Sequence, residues 1–488
     1  MADEITNQDN PSTSPFWSRN GDRVFFTQPR QNELWSIAAI GGAPRRELTD
    51  VRIAALAPDG VSMAVARTGG LAFCRLGSSE CTPYKQAPFD HVFSVRRMQF
   101  SPDGTKLAVL ATRVNYTQGE IWLVPYPPGK GAPRRLFAGE GDNTEFAGLS
   151  WMPDNRHMVV SFDRFDEPEQ LYLGDAETGK LRKLTTGMEA RSFPAVSPDG
   201  RRIAYVQEAR DSDLVEVMLD GSGVRPVLAT ARSELSGSWL PGGREFVFIS
   251  DATGPFQLWG RSPADQRSRP LLPARSDTFS SGRLSYVTAS PDGERLAVEV
   301  WGIEHTIWAL RRSGGKAVRV DPQNSDHHRP SWSPDGNWIA YARALPQPQL
   351  MKVPSGGGTP VEIAKHQGQA GATEVLWSPA NDWIAWLHEG ITLYSPDGKQ
   401  QKRLADAKFH ESAGFSADGK TLYAYYLDRS VGMWVLEAID VASGQSRRIG
   451  SLDVGGSVLN GFSLYPDGKR FLATLEKSNP DIVMLEGF

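Results

Sequence analysis

The turn phrase Ser-Pro-Asp-Gly, or a close variant of it, recurs along this chain at a spacing of about 45 residues. Each copy precedes a stretch of alternating apolar and polar residues, as in Arg202-Ile203-Ala204-Tyr205-Val206, which is typical of a half-buried β-strand. Proline fixes φ, aspartate bonds its own backbone and glycine accepts positive φ, so the phrase predicts a tight turn between two strands. The eleven copies begin at Ser18, Ala57, Ser101, Met152, Ser197, Leu240, Ser290, Ser333, Ser378, Ser416 and Tyr465.

Two further strands complete each repeat. A third strand follows the turn, as at Glu120-Ile121-Trp122-Leu123-Val124, and a fourth is often basic, as at Leu181-Arg182-Lys183-Leu184. One such unit cannot bury both of its faces, so the units must stack on one another. We therefore predict an all-β fold, a β-propeller of about eleven four-stranded blades. Because rings of four to eight blades are usual, both one large ring and two packed propellers stay open.

The longest connector between repeats lies around residues 276–283. We expect it to divide the chain into residues 1–275, with blades 1–6, and residues 276–488, with blades 7–11. The alternative is one continuous ring over residues 1–488, which the segment Glu4-Ile5-Thr6 closes as a last strand, so that no edge stays exposed.

Two stretches depart from the simple repeat. The Gly- and Pro-free stretch 201–220 is predicted to form two strands around a polar turn at residues 210–213. A further Ser-Pro-Asp-Gly, at 395–398, follows a third strand and is predicted to be the turn between the third and fourth strands of its blade.

Composition and charge exclude some classes of partner. The 488 residues carry a net charge of −4, with an isoelectric point near 6.1, so we expect no nucleic-acid partner. The longest apolar runs, such as Trp383–Leu387, fall far short of the ~20 residues of a membrane span. Residues 1–8 are polar and acidic, unlike a signal peptide. We expect a periplasmic or extracellular protein if an export signal or anchor has been removed, and a cytoplasmic one if Met1 is the natural start.

The phrase from Trp332 to Tyr341, Trp-Ser-Pro-Asp-Gly-Asn-Trp-Ile-Ala-Tyr, resembles the WD40-like (PD40) repeat of TolB-like β-propellers, and the resemblance extends over nearly the whole chain. It implies a bacterial β-propeller. In that family the repeats occur in periplasmic TolB, in tricorn-type and prolyl-oligopeptidase-type peptidases, and beside regulatory domains as sensors.

Enzyme motifs give little support to catalysis. The sequence holds neither the Gly-x-Ser-x-Gly nucleophile elbow nor the His-Glu-x-x-His zinc motif. Residues 414–421 match the letters of a phosphate-binding loop, but they coincide with a repeat turn and a strand follows them, whereas a phosphate loop needs a helix there. Whether the protein is an enzyme stays open at this stage.

Histidines and acids collect in two kinds of connection, from the fourth strand of one blade to the first of the next and from the second strand to the third. These connections share one face of a propeller, here called the histidine face, and only His157 lies near the opposite turns. Imidazole and carboxylate together suit Zn, Mn or Fe, so we predict one divalent metal held by His327, His328, His366 and His410, with Glu374 and Glu411 as ligand or catalytic base. Further ligand-binding candidates are Asp90, His91, Glu145, Glu189, Glu234, Trp301, His305, Asp326 and His388.

The leading hypothesis is a ligand- or protein-binding propeller, a sensor or scaffold module, whose protein or small-molecule partner lies on the histidine face. The alternative is a metal-dependent hydrolase or lyase whose metal activates water or stabilises a developing anion. An interpretation without a functional site also stays open, because solvent-exposed loops are rich in such polar residues.

Cys74 and Cys81 are the two cysteines, and they flank a candidate turn at Gly77-Ser78. A disulfide and a pair of reduced thiols both stay open. A disulfide would indicate an oxidising compartment.

Overall fold

The computed structural model describes residues 13–488 apart from 29–30, 79, 91–92, 114–118, 139–143, 165–166, 265, 273–281, 303–304, 324–326, 345–346, 367–373 and 407–410. The described part is all-β, with 41 strands and no α-helix. None of its elements is therefore a helix long and apolar enough to cross a membrane. The segment expected to close a single ring, residues 4–6, lies outside the described residues.

The repeat turn is built as its sequence predicts. At the eighth copy the Ser333 hydroxyl donates to Oδ1 of Asp335 over 2.5 Å and accepts the backbone N–H of Trp338 over 2.9 Å. Oδ1 of Asp335 also accepts the N–H of Asn337, and Gly336 takes a φ of +69°. The turn thus satisfies its own polar groups while it reverses the chain. The same three bonds recur at Ser101, Ser197, Ser290, Ser395 and Ser416.

Spatial contacts between residues divide the chain into two compact units. The first runs to Ala209 and includes Pro480–Phe488, and the second is Arg210–Asn479. The first unit contains four antiparallel sheets of four strands in sequence order. Their strands are β1 Thr13–Trp17, β2 Arg23–Gln28, β3 Glu33–Ala38, β4 Arg45–Thr49, β5 Ile53–Leu56, β6 Ser62–Arg67, β7 Gly70–Arg75, β8 Cys81–Pro83, β9 Phe93–Phe100, β10 Lys106–Arg113, β11 Gly119–Pro125, β12 Arg134–Arg135, β13 Thr144–Trp151, β14 His157–Arg164, β15 Glu167–Asp175 and β16 Leu181–Lys183.

The second unit contains five such sheets. Their strands are β20 Glu234–Trp239, β21 Phe246–Ser250, β22 Gln257–Arg261, β23 Ser268–Pro270, β24 Gly282–Ala289, β25 Arg295–Gly302, β26 Thr306–Arg311, β27 Val318–Arg319, β28 His327–Trp332, β29 Trp338–Arg343, β30 Gln349–Pro354, β31 Val361–Lys365, β32 Glu374–Trp377, β33 Ile384–Leu387, β34 Ile391–Tyr394, β35 Gln401–Ala405, β36 Ser412–Phe415, β37 Thr421–Asp428, β38 Met433–Asp440 and β39 Ser446–Leu452.

One more sheet contains two strands of 17 residues that run through both units. It consists of β17 Ala190–Val196, β18 Arg202–Met218, β19 Val224–Leu228, β40 Val458–Leu464 and β41 Arg470–Glu486. In the first unit β17 pairs with the start of β18. In the second unit β40 pairs with the start of β41 and β19 with the end of β18. The described strands thus form ten sheets, and the count of eleven blades stays a prediction.

This long sheet corrects one expectation from the sequence. The stretch 201–220 contains one continuous strand, β18, instead of two strands around a polar turn at residues 210–213. Asp213 is bonded to Lys477 of β41, so its charge is satisfied inside a sheet. The connector at which the chain was expected to divide lies mostly outside the described residues, and both β23 and β24, on either side of it, belong to the second unit.

Six strands form the inner ring of the second unit, namely β20, β24, β28, β32, β36 and β40. Side chains on one inner strand accept backbone N–H groups of its neighbour, and the ring closes where Oγ of Ser463 accepts the N–H of Trp239, 224 positions earlier. Since buried N–H groups need partners, these bonds fix the spacing of the sheets. Further examples are Val287 N–H to Ser236, Trp377 N–H to Ser331 and Ala413 N–H to Glu374.

The cores lie between successive sheets, as stacked repeats require. In the second unit Val247 and Leu258 pack against Leu296 and Val298 of the next sheet. In the first unit Cys74 of β7 and Cys81 of β8 stand opposite each other and form a disulfide, which settles the question that the sequence left open.

Candidate binding face of the second unit

Five histidines of the second unit lie in, or directly beside, the connections that define the histidine face. His305 lies between the second and third strands of its sheet, β25 and β26, and His388 lies between β33 and β34. His327 and His328 begin the first strand, β28, and His366 directly follows the fourth strand, β31. They come from three consecutive sheets. Four of them form two groups with acidic side chains, called here the Glu299 cluster and the His388 cluster, and His327 belongs to neither.

The Glu299 cluster consists of Glu299, Trp301, His305 and His328. Glu299, on β25, is only 3% exposed. Its Oε1 accepts the indole N–H of Trp301 over 2.6 Å and lies 3.2 Å from Nδ1 of His328. The rings of Trp301 and His305 are parallel, with centroids 5.2 Å apart, and the ring of His328 stands perpendicular to His305 at 4.8 Å. A buried carboxylate therefore holds both ends of a row of three aromatic rings.

The charge state of Glu299 follows from its contacts. Burial opposes its ionisation, but the ring of His328 and the Arg329 backbone N–H, which donates to Oε2 over 3.0 Å, lower the pKa of Glu299 to about 2. Glu299 is thus a carboxylate at neutral pH, and both of its oxygens are engaged. Trp301 is 42% exposed although it is held in place, so the row presents a fixed aromatic surface to solvent.

The His388 cluster consists of Trp386, His388, Glu389 and His366. The imidazoles of His366 and His388 are nearly perpendicular, with centroids 4.7 Å apart, and Trp386 stacks on His388 at 5.3 Å. Nε2 of His366 lies 3.6 Å from Oε2 of Glu389. Burial and the neighbouring His366 lower the pKa of His388, which keeps this imidazole neutral near pH 7.

Arg329 reaches across the inner ring. It lies at a bulge in β28 and takes a φ of +51°, which re-aims its side chain. Its Nη2 donates to Oδ1 of Asn460, on the opposite inner strand, over 3.2 Å, and its guanidinium lies 4.9 Å from the Tyr286 ring centroid. The cavity beside it has a volume of about 90 Å³ and is lined partly by hydroxyl groups. That volume suits a few water molecules and is well below the ~300 Å³ of a small ligand pocket.

Three of the predicted site residues of this unit, His327, Glu374 and Glu234, are buried and bonded to neighbouring groups of the fold. His327 is fully buried, and its Nε2 lies 3.1 Å from Oδ2 of Asp321, which also accepts the Tyr341 hydroxyl and an Arg343 N–H. Glu374 is 4% exposed and accepts the Ser412 hydroxyl and the Ala413 N–H. Glu234 is buried and accepts the Thr230 hydroxyl, and burial raises its pKa to about 7.

The remaining predicted residues are spread more widely. Glu411 is exposed beside β36, next to the inner ring. Asp90 and Glu189 belong to the first unit, where Glu189 pairs with Arg191 over 3.0 Å. His91, Asp326 and His410 lie outside the described residues, and Glu145 is described only through its backbone in β13. The predicted single constellation of His327, His328, His366 and His410 is therefore not what the described residues form, since His328 and His366 belong to separate clusters.

Sequence reasoning missed Glu299, Arg329 and Glu389. One signal for Glu299 was available, because it interrupts an apolar run on a second strand two residues before Trp301. Arg329 and Glu389 gave no comparable signal. Each is an ordinary charged residue in a connection or at a strand start, and its role depends on a positive φ, +51° and +49° respectively.

Comparison with known proteins identifies the repeats. Residues 94–282 match the family model of the TolB beta propeller domain. The uncharacterized peptidase YuxL of Bacillus subtilis is 26% identical over 259 residues, which are 52% of this chain and 30% of that protein. The Tol-Pal system protein TolB of Anaeromyxobacter dehalogenans is 29% identical over 133 residues, 27% of this chain and 29% of that protein. The chain thus spans less than a third of either relative.

Among solved structures, TolB from Acinetobacter baumannii aligns with a TM-score of 0.39 at 12% identity, over 70% of this chain and 80% of that one. The TolB-like (PD40) repeat predicted from the sequence is confirmed, and so is the all-β propeller class.

Proposed function

We propose that this TolB-like β-propeller repeat protein is a binding module, and that its ligand lies on the histidine face of the second unit. The observation that carries the proposal is the exposed ring of Trp301 in the Glu299 cluster. A large aromatic side chain with a bonded polar end is the type of residue that dominates binding energies.

The cluster is organised before any ligand arrives. Trp301 is fixed at its indole N–H by Glu299 and on one ring face by His305. A ligand that stacks on it loses less side-chain entropy than it would on a mobile tryptophan. We infer a ligand with a flat group for Trp301 and a hydrogen-bonding group for the imidazole of His328. Both a protein side chain and a small molecule offer these groups.

The carboxylates favour binding over catalysis. Glu374 accepts two hydrogen bonds that join neighbouring inner strands, and Glu299 is engaged at both oxygens. A metal ion at either carboxylate would compete with these hydrogen bonds, which at Glu374 and at Glu299 join neighbouring sheets. The metal-dependent hydrolase or lyase therefore has less support than a binding module.

The disulfide bears on where such a module works. Disulfides persist in oxidising compartments. The Cys74–Cys81 bond supports the proposal that the protein acts in the periplasm or outside the cell.

Binding is tested by exposing the full chain to an immobilised peptide array and to a collection of small metabolites. We expect a ligand whose affinity falls about tenfold or more in Trp301→Ala, since a hot-spot aromatic contributes about 2 kcal/mol or more. Trp17→Ala is the matched control, because Trp17 is also exposed but belongs to the first unit. His328→Ala and His157→Ala form a second pair, since His157 begins β14 in the first unit.

A ligand from the peptide array identifies a protein partner, and one from the metabolite collection identifies a small molecule. Ligands that bind Trp301→Ala and His328→Ala as tightly as the unmodified chain would refute the proposed site. Circular dichroism of each variant excludes unfolding as the cause of a loss.

A further inference from the structure

We propose that His366, His388 and Glu389 bind one divalent transition-metal ion of the zinc class. The site is separate from the Glu299 cluster and does not rest on the ligand proposed for it. One ring nitrogen from each histidine and one carboxylate oxygen all lie within 4.8 Å of one another.

The separations suit a metal better than direct hydrogen bonds. Nε2 of His366 and Oε2 of Glu389 are 3.6 Å apart, which is too long for a good hydrogen bond. Two ligands on a tetrahedral zinc ion, each about 2.0–2.1 Å from the metal, are separated by about 3.3 Å. Because all three atoms lie within 4.8 Å of one another, side-chain movements of up to about 1.5 Å bring them to bonding distance. The Glu389 side chain is 60% exposed and is free to make that movement.

The imidazoles supply a second, independent observation. His388 is only 9% exposed, and its Nε2 is buried without a hydrogen-bond partner among the described residues. In the same part of the structure, Nδ1 of His366 is also buried without one. An unsatisfied buried polar atom costs about 1–3 kcal/mol. An ion bonded to Nε2 of His388 would satisfy that atom, whereas His366, bonded through its own Nε2, would keep its Nδ1 without a partner among the described residues. The orphaned Nε2 of His388 is therefore the atom that indicates a bound group.

The donor set selects the kind of ion. Two imidazoles and one carboxylate suit Zn²⁺, Co²⁺ or Ni²⁺, whereas Mg²⁺ and Ca²⁺ require sites made mainly of oxygen. Trp386, stacked on His388, holds the ring in place.

The Glu299 cluster is the competing candidate. Its carboxylate already accepts the indole N–H of Trp301 and the backbone N–H of Arg329. A metal there would have to displace one of them, whereas in the part of the chain that the structure describes Glu389 has only the 3.6 Å contact with His366 to give up.

Such an ion would join two neighbouring sheets. His366 follows β31, and His388 and Glu389 lie between β33 and β34. Because the ion binds only when these two connections are in place, it should stabilise the second unit against unfolding.

The test uses the full chain without a histidine tag, stripped of metal by a chelator. Co²⁺ is titrated while its visible absorption and the heat of binding are recorded, and Zn²⁺ and Mg²⁺ are added as competitors. We expect one saturable Co²⁺ site per chain, which Zn²⁺ displaces and Mg²⁺ does not. Loss of one ligand in His366→Gln or Glu389→Gln should weaken binding about tenfold or more, since loss of a residue that only hydrogen-bonds to a metal ligand already weakens binding by about 10–100-fold.

The controls separate this site from the other histidines. His328→Gln removes the competing cluster, His157→Gln removes a histidine of the first unit, and both should bind as the unmodified chain does. Trp301→Ala should also keep its metal affinity, so failure of the ligand proposal leaves this result unaffected. The proposal is overturned if His366→Gln and Glu389→Gln bind normally, if His328→Gln alone loses the ion, or if no saturable site exists.

Discussion

Lys477 donates to Oδ2 of Asp213 over 2.7 Å, and 264 positions separate the two residues in the sequence. Asp213 lies on β18 and Lys477 on β41, the two long strands that run through both units. The pair belongs to the second unit, close to where each strand leaves it. β41 belongs to the last repeat, whereas β18 comes from the middle of the chain. Removing this bond therefore tests whether the two strands pair.

Lys477→Ala tests this pairing. Asp213 is almost fully buried, and one of its carboxylate oxygens already lacks a partner among the described residues. Removal of the lysine should lower the free energy of unfolding by about 1–3 kcal/mol, because it leaves a buried charge poorly satisfied. The measurement is urea-induced unfolding at neutral pH.

The control is Lys399→Ala, which breaks the exposed pair of Lys399 with Asp397. Such surface pairs contribute about 0–1 kcal/mol, so this variant should unfold almost as the unmodified chain does. Equal effects of the two substitutions would contradict the pairing of β18 with β41.

The repeat and its turns were predictable from the sequence, whereas the division into units was not. Local chemistry sets the turn at Ser333, because every bond in it joins residues at most five positions apart. The passage of β18 from the first unit to the second depends on its partner strand β41, whose Lys477 is more than 250 positions away from Asp213. The polar residues 210–213 look like a turn when read alone, since nothing near them in sequence announces Lys477.

The same distinction applies to the candidate site. The strand order places the histidine connections on one face, and that much follows from the repeat. Which histidines meet depends on side-chain packing. His327 and His328 are adjacent in sequence, yet one is fully buried against Asp321 and the other faces Glu299. Neighbouring residues on a strand point to opposite sides, and no motif signals which of the two lies in the site.

Glu299 should make the second unit less stable in acid. Its pKa in the folded chain is about 2, below the usual value near 4.5, so its ionised form stabilises the fold above pH 4.5. That stabilisation, about 2–3 kcal/mol, should disappear as the pH falls from about 4.5 to 2. Glu299→Gln should therefore be destabilised at pH 7 and approach the unmodified chain at pH 3.

Urea unfolding at pH 7, 5 and 3 measures this effect. Glu177→Gln is the control, because Glu177 is exposed and should give parallel curves at all three pH values. A constant gap between Glu299→Gln and the unmodified chain would contradict the assigned charge state.

Glu234 should have the opposite pH dependence. Burial raises its pKa to about 7, and the nearby Asp213 and Asp211 add to the shift, so the folded chain holds this proton more tightly than the unfolded chain does. The stability linked to Glu234 is complete below about pH 4.5 and is lost as the pH rises through 7. Glu234→Gln removes the ionisation and can still accept the Thr230 hydroxyl. It should be more stable than the unmodified chain at pH 8, by about 2 kcal/mol, and equal to it at pH 4.

Thermal unfolding at the two pH values checks this prediction. Glu299→Gln serves as the comparison, because its change in stability should have the opposite sign. If Glu234→Gln gains nothing at pH 8, the carboxyl is already solvated and the buried environment assigned to it is incorrect.

Gly414 should tolerate no side chain. It lies on β36, and a Cβ atom built there would come within 2.3 Å of Cδ1 of Phe462 on β40. Phe462 cannot move aside easily, because it stacks on Phe471 at 4.1 Å. Gly414→Ala should therefore lower the free energy of unfolding by about 1–3 kcal/mol, the usual cost of overpacking. Gly356→Ala is the matched control, since its Cβ would meet nothing within 4 Å and should change stability by about 0.5 kcal/mol at most.

This pair of variants also tests why a phosphate-loop pattern occurs at residues 414–421. In the structure its first glycine lets two inner strands approach each other, and β37 follows the turn where a phosphate loop has a helix. Gly414→Ala should consequently unfold at lower temperature, and ATP should not raise the unfolding temperature of the unmodified chain. Stabilisation by ATP that Gly414→Ala abolishes would assign the glycine to nucleotide binding instead.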